Sequence, residues 1–275
     1  MAGKSAWKEE VRGLRNKGKL LGTQELCIEF SKSVKRAVNG AGKVAVLFSG
    51  GVDSTALAVT AKKHSSVTLI TASAENAPDT QVARETAKKL GLEWEHVPLT
   101  RENVKEYYNE VKDLLPKKLQ SDFQTTLAIP IYAACKRARN LGLKVALDAA
   151  GADESFAGYH RYARLVERHG HDALTEELWK DLENIEEHDV EREKIVSGAL
   201  GVEIRCPFLD SEFLKHAMAI PVSQKIHGKG DTLRKRALRK MALALGVPEE
   251  IAHRPKKAMQ YGSGVEKLLK PPSFG

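Results

Sequence analysis

Ser49-Gly50-Gly51-Val52-Asp53-Ser54 is the stretch from which the rest of the chain is read. Ahead of it runs Val44-Ala45-Val46-Leu47-Phe48, continuously apolar and bounded by Gly42 and Gly50. Such a run predicts a buried strand of a parallel sheet. Behind it, residues 54–64 predict a helix. Two glycines between strand and helix let the backbone turn tightly, so that successive N–H groups converge on an anion. The helix adds the positive end of its dipole. Ser49 and Ser54 bring hydroxyl donors. Asp53 would repel a bare phosphate, so its presence points to a bridging Mg²⁺. Without these neighbours the same residues would be an ordinary strand-to-helix turn with a polar cap. Gly40-Ala41-Gly42-Lys43 is no second phosphate loop: it precedes the strand, and Val44 stands where a Walker-type loop needs Ser or Thr.

Outward from this point, strand and helix alternate. Residues 67–72 predict a second strand and 80–90 a helix capped by Asp79 and stopped by Gly91. Residues 94–98 predict a third strand, 129–140 a helix and 143–147 a fourth strand. Upstream, Leu26, Phe30, Val34 and Val38 recur at helical spacing over 23–38, with Thr23 as cap and Gly40 and Gly42 beyond the end. The pattern is α/β with a parallel sheet. After Gly158 the strand signal fades. Helices are predicted over 164–169, 174–184, 189–199, 211–219 and 232–245. The expected organisation is an N-terminal extension (1–22), an α/β region (23–158), a mainly helical C-terminal half (159–270) and a loose tail (271–275), with no internal repeat.

Composition sets the outer limits. With 275 residues, 42% hydrophobic and 29% charged, the chain can bury a real core, which excludes wholesale disorder. No apolar run approaches the length of a membrane span, and the N-terminus has no signal-peptide core, so no membrane association is expected. Cys27, Cys135 and Cys206 lie far apart and support neither a disulfide framework nor a zinc ribbon; a reducing cytoplasmic setting is expected. A net charge of +8 favours nucleotides, polyphosphates or RNA as partners, and equally describes a Lys-rich solvated surface.

Three further segments carry chemistry. Leu147-Asp148-Ala149-Ala150-Gly151-Ala152-Asp153-Glu154, with Phe156, Gly158, Tyr159 and Arg161 behind it, follows the fourth predicted strand. Ligands of open α/β sheets sit at the carboxyl ends of strands, so Asp153 can share Mg²⁺ with Asp53; the alternative is that Asp153 and Glu154 cap a helix. Glu203-x-Arg205-x-Pro207-Phe208-Leu209-Asp210 and Arg254-Pro255-Lys256-Lys257 come later. A lysine near a polyphosphate neutralises charge on a leaving pyrophosphate, although a lone Lys256 is also an ordinary surface residue. Along 232–245, Leu233, Leu238, Met241 and Leu245 share one side. Arg234, Lys235, Arg236, Arg239 and Lys240 cover much of the rest and read as a solvated basic face, with RNA contact as the other reading.

The hexapeptide resembles the PP-loop of the ATP pyrophosphatase superfamily. All four segments together, in order over about 24–268, resemble the synthetase domain of the asparagine synthetase family. The resemblance implies an adenine nucleotide alpha hydrolase-like fold and an enzyme that adenylates a carboxylate with MgATP, releases pyrophosphate and passes the acyl group to ammonia or an amine. It implies that Ser49, Gly50, Gly51, Asp53 and Ser54 hold pyrophosphate and Mg²⁺, that Leu47, Ala72 and Ala149 line the adenosine pocket, that Asp153 helps bind the metal and that Lys256 contacts phosphate. Glu203, Arg205 and Asp210 are implied to be structural or pocket-shaping. Arg234 falls near a basic residue of the family's Leu-Arg pair.

Three departures modify the expectation. The family's N-terminal glutaminase domain, with its cysteine after the initiator Met, has no counterpart before the loop, where Ala2 follows Met1. A separate glutaminase subunit or free ammonia is then the nitrogen source. The family's glutamate in Ser-Gly-Glu-Gly is Ala150 here, with Asp148 two residues away. The late segment continues through Ala258-Met259-Gln260-Tyr261-Gly262-Ser263-Gly264, resembling a divergent branch of synthetase-related proteins. Two alternatives remain beside the ligase: an RNA-modifying enzyme that adenylates a base, and a nucleotide-binding subunit without catalysis. An oligomer is compatible with either.

Overall fold

The computed structural model describes residues 6–228, 230–255 and 262–269. Two helices precede the first strand, α1 (Ala6–Leu14) and α2 (Thr23–Val38). Leu26, Phe30, Val34 and Val38 of α2 are all buried, as their spacing requires of a helix laid on a sheet. The chain then alternates: β1 (Lys43–Leu47), α3 (Val52–Ala61), β2 (Ser66–Ser73), α4 (Pro78–Leu90), β3 (Glu93–Pro98), α5 (Arg101–Leu114), α6 (Asp122–Asn140) and β4 (Val145–Leu147). Helix α4 begins one residue before Asp79, so that residue lies in the first turn rather than at the cap. Helix α6 starts well ahead of 129, where the Ser121 side chain accepts the Gln124 N–H, and carries Pro130 within it.

The second half adds α7 (Ala152–Phe156), α8 (His160–Ile185), α9 (Glu191–Gly198), β5 (Glu203–Arg205), α10 (Ser211–Ala219), α11 (Val222–Lys225), α12 (Arg236–Leu245), α13 (Glu249–Ala252) and α14 (Val265–Leu269). The helices expected over 164–169 and 174–184 are parts of α8, interrupted at Gly170, where φ is 82° and ψ 179°. The strand signal does not end at Gly158: β5 pairs with β4 and completes the sheet.

Five strands lie in the order β3-β2-β1-β4-β5, and all neighbours are parallel. Parallel pairing buries both faces, and the side-chain alternation divides the core. Val44, Val46, Val145 and Leu147 pack with α2, α3 and α12, while Ala45 and Ala146 pack with α5, α6 and α9. A third cluster, around Tyr162, Leu178 and Leu214, joins α1, α8 and α10. The order of connection reverses between β1 and β4, and open parallel sheets take their ligands at the carboxyl ends of strands beside such a reversal. Among the described residues no helix is long and apolar enough to cross a membrane.

Candidate active site

The hexapeptide leaves β1 at this reversal and enters α3. Gly50 has φ +70°, and a Cβ there would lie 2.8 Å from the backbone nitrogen of Ala83, so both the conformation and the approach of α4 require glycine. Gly51, in extended conformation, is the N-cap of α3. The loop is held from inside: Ser54 Oγ accepts the Ser49 N–H and donates to the Gly51 carbonyl, each at 3.3 Å. Asp53 then falls in the first turn of α3, and Asp153 in the first turn of α7 beyond β4.

A third residue joins them. Lys235 Nζ lies 2.6 Å from Asp53 Oδ2 and 2.9 Å from Asp153 Oδ1, with only 1% of its side chain exposed. Burial works against its charge, but Asp153 and Asp53 outweigh burial and raise its pKa, so the group is a buried cation. Asp53 Oδ1 is itself buried and has no hydrogen-bond partner among the described residues. An oxygen so placed, at the mouth of the loop, fits a hard cation such as Mg²⁺.

Lys235 was hidden in the stretch read as a helix with a solvated basic face. That reading is corrected in two respects. Asp231 accepts N–H bonds from His227, Leu233 and Arg234, which folds the chain into a turn. Arg234 and Lys235 take φ of +47° and +49°, so α12 starts only at Arg236. Arg234, Lys235 and Arg239 are then buried. Arg234 Nε donates to the Gly158 carbonyl at 2.8 Å, and Arg239 donates to the carbonyls of Leu233, Arg234, Ala252 and Arg254. No alternation or periodicity marks Lys235; only the need of two facing carboxylates for a cation could have suggested it.

The second motif is packed against the third. Gly151 has φ +90°, and a Cβ on it would come 2.3 Å from Leu209 Cδ2. Glu154 is buried, accepts the Tyr159 hydroxyl at 2.6 Å and has its carboxyl pushed up to about 7, first by burial and then by Asp153. Asp148 is buried as well, accepts the Ala150 N–H at 2.6 Å and is pushed up to about 6 by burial. Arg205 pairs with Glu203 and donates to the carbonyls of Ala37 and Asn39. Asp210 caps α10 and binds Arg36. Both tie β5 and its exit to α2.

Leu47, Ala72 and Ala149 sit at or just past the carboxyl ends of β1, β2 and β4. Lys256, Lys257 and residues 258–261 lie outside the described residues. Their described flanks are anchored: the Arg254 carbonyl accepts Arg239, and the Ser263 carbonyl accepts the Ala74 N–H at 2.8 Å, just past β2.

An open parallel sheet, with a glycine loop feeding a helix at its switch point and acidic side chains converging there, defines an α/β protein of the PP-loop kind. The asparagine synthase family model matches residues 25–171 and 166–272, and the chain belongs to that family. A Methanocaldococcus jannaschii protein provisionally named asparagine synthetase [glutamine-hydrolyzing] 1 is 35% identical over 266 residues, covering 86% of this chain and 49% of the relative. Asparagine synthetase B [glutamine-hydrolyzing] of Escherichia coli is 29% identical over 259 residues, covering 87% and 45%. The chain therefore spans about half the length of these curated relatives. Among solved structures, a U34-tRNA thiolase from Methanococcus maripaludis aligns over 89% of this chain and 72% of its own, with 16% identity and a TM-score of 0.43.

Proposed function

We propose that this chain adenylates a carboxylate with MgATP, releasing pyrophosphate, and passes the acyl group to ammonia or an amine. The observation that carries the reading is the Lys235 cation held between Asp53 and Asp153 beside the 49–54 loop. The loop N–H groups, the Ser49 and Ser54 hydroxyls and the positive end of α3 bind the polyphosphate. Asp53 and Asp153 would hold Mg²⁺, which when bound offsets phosphate charge and polarises the phosphoryl oxygens. Lys235 supplies a fixed positive charge where negative charge builds as pyrophosphate departs, and its burial keeps water from weakening it. Leu47, Ala72 and Ala149 flank the adenosine, and Lys256 meets phosphate from the segment after Arg254.

The reading of 232–245 as a basic face for RNA contact loses support from the same geometry. Three of the five basic residues at 234–240 are buried, which removes them from any basic surface.

The test uses ¹⁸O-labelled carboxylates, aspartate included, with MgATP and ammonium. Adenylation breaks the bond between the α and β phosphates and leaves one carboxylate oxygen on AMP once the acyl group is transferred. Label in AMP is the expected result. Label in inorganic phosphate, with ADP, would overturn the proposal.

A further inference from the structure

A second cluster lies one strand further along the carboxyl edge. The Asp148 N–H donates to the Arg205 carbonyl at 3.0 Å, which sets the end of β4 beside Cys206 at the exit of β5. Helix α9 packs over β5 and directs Glu193 to the same point. A carboxylate oxygen of Asp148, one of Glu193 and the Cys206 sulfur all lie within 4.8 Å of one another. Asp148 and Glu193 are 8% and 4% exposed. Glu193 Oε2 is buried without a hydrogen-bond partner among the described residues.

The neighbouring charge does not resolve this arrangement. Arg192 Nη2 stands 3.5 Å from Glu193 Oε1, but its other amino nitrogen is taken by Asp189 at 2.8 Å and by Gln124. Asp189 adds a further negative charge nearby. Burial raises the proton affinity of both carboxylates, and Asp148 raises that of Glu193 further. Either they share a proton or a cation sits between them. The sulfur favours the cation, because a thiol is a poor partner for a carboxylate but a strong ligand once ionised.

We propose that Asp148, Glu193 and Cys206 form a site for one borderline-soft divalent cation of the Zn²⁺ type, sharing no ligand with Asp53 and Asp153. Two carboxylates and a thiolate match the donors such an ion takes and exclude Mg²⁺, which prefers oxygen alone. Three protein ligands leave one tetrahedral position for a further donor. Binding releases the Cys206 proton to solvent and ties α9 to the ends of β4 and β5.

The experiment uses the full chain, stripped with a chelator and titrated with Zn²⁺ against a chromophoric competitor, and in parallel with Co²⁺. One equivalent of Zn²⁺ and a thiolate-to-cobalt charge-transfer band are expected. Cys206→Ser abolishes the band, and Glu193→Gln weakens Zn²⁺ binding by about tenfold or more. Cys27→Ser and Cys135→Ser keep the band, and excess Mg²⁺ does not displace the ion. If Cys206→Ser fails to fold, the wild-type band together with Glu193→Gln still decides. No uptake by the wild type would overturn the proposal and leave a proton-sharing carboxyl pair. Binding unchanged in Glu193→Gln, or a band lost in Cys135→Ser, would overturn it as well.

Discussion

Gly158→Ala tests the geometry of the Asp53–Lys235–Asp153 bridge. Gly158 has no left-handed backbone, so alanine is permitted there by conformation. An added Cβ, however, would lie 1.8 Å from Asp153 Oδ1 and 2.0 Å from Lys235 Cε. Real Cβ contacts stay beyond 3.0 Å, so both side chains must withdraw by at least about 1 Å. The contacts at 2.6 and 2.9 Å cannot survive such a shift together. Overpacking of this kind costs about 1–3 kcal/mol of stability, which leaves a 275-residue chain folded. Misplacing charged groups by about 1 Å costs on the order of 10²-fold in rate. The expected result is a melting temperature lowered by a few degrees with pyrophosphate formation reduced about a hundredfold. Gly42→Ala, with nothing within 4 Å of the added carbon, is the control and changes neither. Circular dichroism and a coupled pyrophosphate assay read the two effects. Wild-type rates in Gly158→Ala would refute the claim that the bridge positions the chemistry.

The remaining predictions concern three buried basic side chains. Lys225 is fully buried beside Met218, and burial pushes its amine down to about 7. Between about pH 7 and 10 the unfolded chain holds a proton that the folded chain does not, so stability rises with pH across that window and the penalty is complete below it. Lys225→Met removes this rise and stabilises the protein at pH 7 by about 3–5 kcal/mol; urea unfolding at several pH values measures it, and an unchanged slope contradicts it. Arg239→Met leaves the carbonyls of Leu233, Arg234, Ala252 and Arg254 short of donors, for a loss of about 3–5 kcal/mol. A midpoint in urea equal to the wild type's would count against that accounting of the turn. Lys235→Met leaves Asp53 and Asp153 facing each other, which lowers the melting temperature at neutral pH, and added Mg²⁺ restores more of it than it adds to the wild type. An equal Mg²⁺ response in both proteins would remove Asp53 and Asp153 as a cation site.

Much of this was legible in sequence wherever one residue run carried one job. The apolar run ahead of Ser49 is β1, and the stripe of Leu26, Phe30, Val34 and Val38 is the buried face of α2. Helix α5 escaped notice because only Val104 and Val111 are buried in it, too few to make a stripe. Strand β5 is three residues long and buries only Ile204 between Glu203 and Arg205, so no apolar run announces it. Lys235 escaped for a different reason. Its place depends on the Asp231 turn and two left-handed residues, and a long helical reading of 232–245 turns the same side chain toward solvent. The meeting of Glu193 with Asp148 and Cys206 depends on how α9 crosses β5, which no local pattern encodes.

The most direct test is product identity. Wild-type chain and Asp53→Asn are incubated with MgATP, ammonium and a panel of carboxylates, and the nucleotide and phosphate products are separated. The account predicts AMP and pyrophosphate in equal amounts, dependent on one carboxylate and lost in Asp53→Asn. ADP and inorganic phosphate, or AMP formation indifferent to Asp53, would contradict it.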